Sequence, residues 1–386
     1  MHRTTSLFAT AALLVATATA CGGADAAENS ALQGRGTGAN CYIEAPVKIG
    51  AALSITGSAA AYGDAQRKSL ELAVEQLNRS QGVRYELRIE DDATDPKQAI
   101  TVFENFATNG MSAIIGPTLS NNAKQADPVA QASKVPVLAV SNTATGITDI
   151  GDYIFRNAMA ESVIVPYTVV KAKEFAQLKK VVVMYSDDDA FTETGYQAFK
   201  KTLAGNDIQI LQTMTFSKRD KDFRKLLAEA KALKPDALVV SSLIEPAIAL
   251  VSQARDLGIT VPIVGNNGFN SNRLITESGI AAEGVIVGGP WNAARPEQKN
   301  AEFLAAYRAK HNADPDPFGV MAYAGLLLID EAIRKDCNAE RDAIKRNLGT
   351  LREVDTIVGK YSFDSNREPV HNPVVQVVRD GRFVII

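Results

Sequence analysis

Short apolar runs, each emptying into small and hydroxyl-bearing residues, alternate along this chain with helices that have one apolar face. Two are the clearest, "SAIIGPTLSNNA" from Ser112 to Ala123 and "PVLAVSNTATGIT" from Pro136 to Thr148. Each reads as a buried strand whose end carries Ser, Thr, Asn and Gly. Strands buried on both faces belong to parallel sheets, and open parallel sheets take ligands beyond the carboxyl ends of their strands. The fold class is therefore α/β and doubly wound, which excludes a helical array or an all-β sandwich.

The alternation runs through most of the chain. "VKIGAAL" from Val47 is the first strand, and the spacing predicts a helix over Gly63–Ser80 with Leu70, Ala73, Val74 and Leu77 on one face. "YELRIED" follows as a strand, and "PKQAITVFENFATN" as a helix opened by Pro96 and closed by Asn109-Gly110. After "DIGDYIFRNAMAES" the pattern restarts. Strands "KKVVVMYS", "DIQILQTMTF", "DALVVSS", "VPIVGNN" and "EGVIVGGPW" are separated by helical segments, one with Phe223, Leu226, Leu227 and Ala230 on a single face. Helices are expected over Pro296–His311 and Phe318–Lys335, and the C-terminal stretch is β-rich. A chain of 386 residues accommodates the two α/β units this implies.

The N-terminus reads as a targeting segment. Residues 1–20 combine Arg3 with the apolar "SLFATAALLVATATA", a signal peptide rather than a membrane span. "ATAC" resembles the bacterial lipobox and makes Cys21 the expected lipid-attachment residue, with Ala18 where Leu is more usual. Residues 21–40 read as a flexible tether, and the "GRGTG" within it has no strand before it and no helix after it. Cys41 and Cys337 remain. In an exported chain they form one disulfide or stay as two thiols; the disulfide is the expectation carried forward.

The candidate chemistry is that of a binder. The histidines are His2, His311 and His371, with no pair at metal-ligand spacing, and no nucleophile elbow or phosphate-binding loop is present. The acidic clusters "EDDATD" and "DDDAF" read as loops and caps, so no catalytic residue, metal or cofactor is assigned. A net charge of −3 without a basic run excludes a nucleic-acid footprint. The strand ends instead deliver Ser120 and Asn121, Thr143 and Thr145, Asp187 to Ala190, Ser241 and Ser242, and Asn266 and Asn267. Coming from both halves of the chain, these residues imply a cleft between two lobes. Ser120 is expected to cap the helix after it, whose first N–H groups attract an anion such as a carboxylate.

In order and spacing, "IIGPTLSNNA", "VSNTATGIT", "YIFRN", "QARDLG", "FGVMAYAGLLLIDEA" and "GKYSFDSNREP" resemble the leucine/isoleucine/valine-type solute-binding proteins of ABC importers, of the type I periplasmic-binding fold. The resemblance implies two Rossmann-like lobes joined by a three-segment hinge, residues 41–161 plus 290–355 forming lobe one and 162–289 plus 356–386 lobe two. It implies that Ser120 and Thr145 hold a ligand carboxylate, that Thr143 offers its carbonyl to an ammonium, and that Ala144 sits between them in the same loop. Tyr62 and Phe318 would wall the pocket from lobe one and Phe191 from lobe two. Asn267 stands where amino-acid binders often carry an acid, and Leu243 where an aromatic is common. That leaves Glu161, Asp188, Asp189 or Glu245 to meet an ammonium. The expected role is an exported, monomeric receptor that delivers a small carboxylate-bearing solute, an amino acid first, to permease and ATPase subunits. The alternatives are a sensory ligand-binding domain and a binder of amides, urea or other organic acids.

Overall fold

A computed structural model describes His2 and residues 31–386; the leader and Cys21 lie outside the described residues. The first lobe opens with β1 (Val47–Leu53), α1 (Ala60–Arg79), β2 (Tyr85–Asp91), α2 (Pro96–Thr108), β3 (Ala113–Ile115), α3 (Ser120–Ala132), β4 (Val137–Ala139) and β5 (Ile154–Arg156). Its sheet has the order β2-β1-β3-β4-β5 and is parallel throughout. The chain then crosses into α4 (Glu161–Ala176), β6 (Lys180–Ser186), α5 (Ala190–Gly205), β7 (Gln209–Phe216), α6 (Arg224–Ala232), β8 (Ala237–Ser241), α7 (Ile244–Asp256), β9 (Ile263–Gly265), α8 (Asn272–Ser278) and β10 (Val285–Gly289). It returns through α9 (Gln298–His311), α10 (Pro317–Asp336), α11 (Arg341–Leu348), β11 (Val354–Thr356), β12 (Gly359–Phe363) and β13 (Pro369–Val370), and ends in β14 (Val374–Arg379) and β15 (Arg382–Ile385). The second sheet runs β15-β14-β10-β9-β8-β6-β7; β14 is antiparallel to both of its neighbours, β10 and β15, and the other strands run parallel.

Each sheet has a point where the strand order reverses, between β1 and β3 in one and between β6 and β8 in the other. The carboxyl ends of strands diverge there and leave a crevice, and the loops that follow carry the hydroxyl and amide residues picked out above. Local chemistry sets the helix starts. Asp95 accepts from the N–H groups of Lys97 and Gln98 and Pro96 opens α2 without needing a donor. Helix α1 begins at Ala60, three residues before the expected Gly63, because the turn after β1 already closes there. Gly63 passes so near the end of β1 that a Cβ would lie 2.0 Å from the Ser54 carbonyl oxygen. Gly63→Ala is therefore expected to cost about 1–3 kcal/mol through overpacking. A guanidinium midpoint equal to wild type would show that the backbone yields instead.

Two expectations are corrected, and one element is new. Residues 31–40, assigned to the tether, are ordered against lobe one: Gly34 N–H donates to the Cys337 carbonyl, Ala339 N–H to that of Leu32, and Arg35 pairs with Tyr42. Leu32 packs on the lobe-one core, which holds this segment down. The boundary at 355/356 also moves, since Ile357, Val358, Tyr361 and Phe363 bury in the lobe-one core and only β14 and β15 join the second sheet. Glu368, beside that segment, pairs with the Arg156 guanidinium at 2.5 Å. Finally α11 was not anticipated, its eight residues being mostly polar. Cys41 and Cys337 are joined in a disulfide and both are buried. Among the described residues no helix is long and apolar enough to cross a membrane.

Candidate functional site

Two Asp caps, one in each lobe, point aromatic rings at each other across the cleft. Asp189 accepts from the N–H groups of Phe191 and Thr192 at the start of α5. Asp316 does the same for Phe318 and Gly319 at the start of α10. A cap fixes the direction in which a helix leaves its loop, so Phe191 and Phe318, second residues of their helices, are set facing the same space. The Phe318 ring lies on Tyr62, centroids 4.1 Å apart. With Leu119 and Leu243 these rings form one apolar cluster that spans both lobes.

They line a small cavity, about 280 Å³ when the space open to solvent is counted, together with Thr118, Ser120, Ser141, Asn267 and Gly268. A second cavity of about 220 Å³ shares Ser141, Asn267 and Phe318 with the first and extends it past Met159 and Met321. Direct bonds close the lobes over this space. The Tyr62 hydroxyl donates to the Gly268 carbonyl at 2.8 Å and accepts from Ile244 N–H at 2.7 Å. At the rim, Asn121 Nδ2 donates to Asp189, Ala190 N–H to Asn121 Oδ1, and Thr145 N–H to Thr194 Oγ1.

The polar groups divide into those already satisfied and those with a bond to offer. Thr118 Oγ1 donates to Gln66 and accepts from Ser54 N–H, while Ser141 Oγ donates to the Thr118 carbonyl and accepts from Gln66. Ser120 is different. Its Oγ accepts from Ala144 N–H at 3.3 Å, which leaves the hydroxyl proton free to donate. It is not the expected cap: Leu119 holds that position, α3 has no side-chain cap, and its first N–H groups stay available to an acceptor.

Asn267 is oriented by three other buried amides. Asn292 is fixed at its ends by backbone, Ala294 N–H donating to its Oδ1 and its Nδ2 donating to the Phe383 carbonyl. Its Nδ2 also donates to Gln376 Oε1, Gln376 Nε2 to Asn270 Oδ1, and Asn270 Nδ2 to the Gly288 carbonyl and Asn267 Oδ1. Because backbone groups can only donate or only accept, this order has one direction. Asn267 Oδ1 is thereby engaged by Asn270, which fixes the orientation of its amide. Uncharged and already sharing its oxygen, it is a weak acceptor for an ammonium.

Of the site residues expected from sequence, Tyr62, Ser120, Phe191, Asn267 and Phe318 line the cavity together. Thr143 and Ala144 are buried behind it, tied to Glu161 and Ser120. Two depart from expectation. Thr145 is exposed and its N–H is spent across the rim on Thr194, because the loop turns outward after Ala144. Glu245 faces solvent and pairs with Arg273 rather than reaching the cavity. Thr118, Ser141 and Gly268 were not singled out; their positions just after β3, β4 and β9 were the available signal. Glu161, first residue of α4, has no exposed surface; its Oε1 accepts from Asn267 N–H and the Thr143 hydroxyl, both at 3.3 Å. Burial pushes its carboxyl up to about 8, against the smaller opposing pull of those two bonds and of Arg156.

Known proteins share this fold. The chain is 28% identical over 323 residues to the leucine-, isoleucine-, valine-, threonine- and alanine-binding protein of Pseudomonas aeruginosa, covering 82% of this chain and 86% of that one. It is 27% identical to the Leu/Ile/Val-binding protein BraC3 of Rhizobium johnstonii, covering 83% and 88%. The isoleucine complex of the substrate-binding protein LivJ from Streptococcus pneumoniae superposes with a TM-score of 0.82 at 28% identity, covering 89% of this chain and 99% of the other. The leucine-binding protein LivK of Thermotoga maritima has the same fold, with a TM-score of 0.83 at 23% identity over 88% and 97% of the two chains. The sequence profile described as "Periplasmic binding protein" matches residues 46–382. Two opposed α/β lobes closing over a small cavity, together with that match along the chain, place this protein in the periplasmic binding protein family.

Proposed function

We propose that this protein captures a small amino acid outside the cytoplasm and delivers it to the permease and ATPase subunits of an ABC importer. The observation that carries the reading is the cavity's asymmetry. Ser120 offers an unspent hydroxyl beside the uncapped start of α3, a setting suited to a carboxylate. Tyr62, Phe318, Phe191 and Leu243 supply apolar walls from both lobes for an aliphatic body. The relatives named above bind leucine, isoleucine and valine, which supports the same solute class here. Lipid attachment at Cys21 and a monomeric state belong to the same proposal. No catalytic role is assigned to any residue of the site. A second reading, a carboxylate or amide without a cationic group, is favoured by one observation: the cavity-lining Asn267 is a neutral amide whose oxygen is already bonded to Asn270.

The test is thermal unfolding of mature protein, unfolded and refolded to strip ligand, against amino acids, amides and small organic acids. At 100 times its dissociation constant a ligand should stabilise the fold by about 2.7 kcal/mol. The midpoint should then rise by several degrees. A rise with leucine or isoleucine supports the amino-acid reading, and a rise with organic acids alone replaces it by the second. No rise with any of them overturns the binding role.

A further inference from the structure

The geometry points to Glu161 as the counter-charge for the ammonium group of the ligand, a specificity-determining role at a residue buried at the crossing from lobe one to lobe two. The inference rests on the amino-acid reading above and names the group that reading lacks.

Three observations converge on it. First, Asn267 carries no charge and its oxygen is already engaged through the amide order running back through Asn270 and Gln376 to Asn292, which makes it a weak partner for an ammonium. Second, the other acids near the cleft are engaged, Asp316 by the N–H groups of Phe318 and Gly319 that it caps. Asp188 accepts from Ser217 and Lys218 N–H, Asp189 caps α5 and holds Asn121, and Glu245 pairs with Arg273 in solvent. Third, Glu161 lies just behind the cavity wall, touching the Thr143 hydroxyl and the backbone N–H of the cavity-lining Asn267, while its Oε2 is buried without a partner among the described residues. A buried carboxylate oxygen without a partner is costly unless it is protonated or meets a cation. Arg156 is the one charged group acting on Glu161, and it is engaged by Glu368 at 2.5 Å. The loops after β4 and β9 face Glu161 with Thr143 and Asn267, neither of which titrates.

The proton balance then distinguishes this role from a structural one. Below about pH 8 Glu161 holds a proton before ligand arrives. An ammonium settling against it favours the carboxylate, so that proton leaves for solvent as the ion pair forms. Amino-acid affinity should accordingly rise with pH, approaching tenfold per unit at the steepest, and level off above about 8. The same carbon skeleton without the amine should show no such slope.

The experiment is titration calorimetry of the full mature chain with L-leucine and with 4-methylpentanoate, in buffers of differing ionisation enthalpy between pH 6 and 9. Wild type should release a proton on taking leucine and none on taking 4-methylpentanoate. Glu161→Gln should lose leucine affinity by on the order of 100-fold, together with its pH slope, and retain 4-methylpentanoate. Adding Asn267→Asp to that variant should restore part of the leucine affinity. Leucine bound by Glu161→Gln as tightly as by wild type would overturn the inference while leaving amino-acid capture intact. If the variant does not fold, the wild-type result decides: leucine bound without proton release between pH 6 and 8 overturns it equally. A wild type that takes 4-methylpentanoate and refuses leucine ends the amino-acid reading itself, a separately recognisable result.

Discussion

Tyr62→Phe should weaken ligand capture on the order of 100-fold while leaving both lobes folded. The hydroxyl is the only part removed, and in the closed form it satisfies two backbone groups of the opposite lobe, Ile244 N–H and the Gly268 carbonyl. Without it both stay buried and unpaired, at roughly 1–3 kcal/mol each. When the lobes part, water reaches the same two groups, so the penalty falls on closure alone. A net cost of about 3 kcal/mol corresponds to the 100-fold figure. Burial raises the phenol's pKa well above its ordinary value, so the hydroxyl keeps its proton, and both bonds, through the physiological range. The ring stays packed on Phe318, which isolates the hydroxyl from the aromatic wall. Calorimetric affinity and the unfolding midpoint of the ligand-stripped variant, measured together, check this. An unchanged affinity would mean that closure through Tyr62 contributes nothing to capture.

Breaking the Cys41–Cys337 bridge should have the largest effect on stability. The bridge closes a loop of 296 residues, nearly the whole described chain. Closing so long a loop restricts the unfolded chain strongly, and the chain-entropy model puts the stabilisation at up to about 5 kcal/mol. At roughly 2–4 °C per kcal/mol for domains this size, the midpoint should fall by about 10 °C or more. The native side adds to this, because residues 31–43 are held beside the bridge by Gly34, Arg35 and Leu32 and would fray once Cys41 is released. Unfolding of wild type with and without reductant, and of Cys41→Ala with Cys337→Ala, makes the comparison. Equal midpoints would show that the packing of α10 alone fixes this corner.

Periodicity made the lobes readable, since parallel strands bring their carboxyl ends to one rim and so bring Ser120, Phe191 and Asn267 together from distant parts of the chain. Tyr62 and Phe318 came from family resemblance, because an aromatic on a helix reads as core from its spacing alone. What stayed hidden depends on contacts between distant segments. Thr145 and Thr143 are two residues apart in one loop, yet one faces Thr194 at the rim and the other Glu161 inside. Glu245 was drawn away by Arg273, 28 residues further on. The direction of Asn267 is decided by Gln376, more than a hundred residues later, through Asn270. No local pattern marks such a relay. The same holds for Ile357 to Phe363, whose apolar residues bury in the first lobe although a β-rich C-terminal tail suits either sheet.

The bonds that shut the rim join protein to protein, Tyr62 to Gly268 and Ile244, Asn121 to Asp189 and Ala190, Thr145 to Thr194. A shut outline is therefore an imperfect receipt for cargo. An importer that read shape alone would spend turnovers on empty carriers. A solute held between Ser120 on one side and Phe191 on the other adds contacts that break only on opening, which slows the reopening of a loaded cleft.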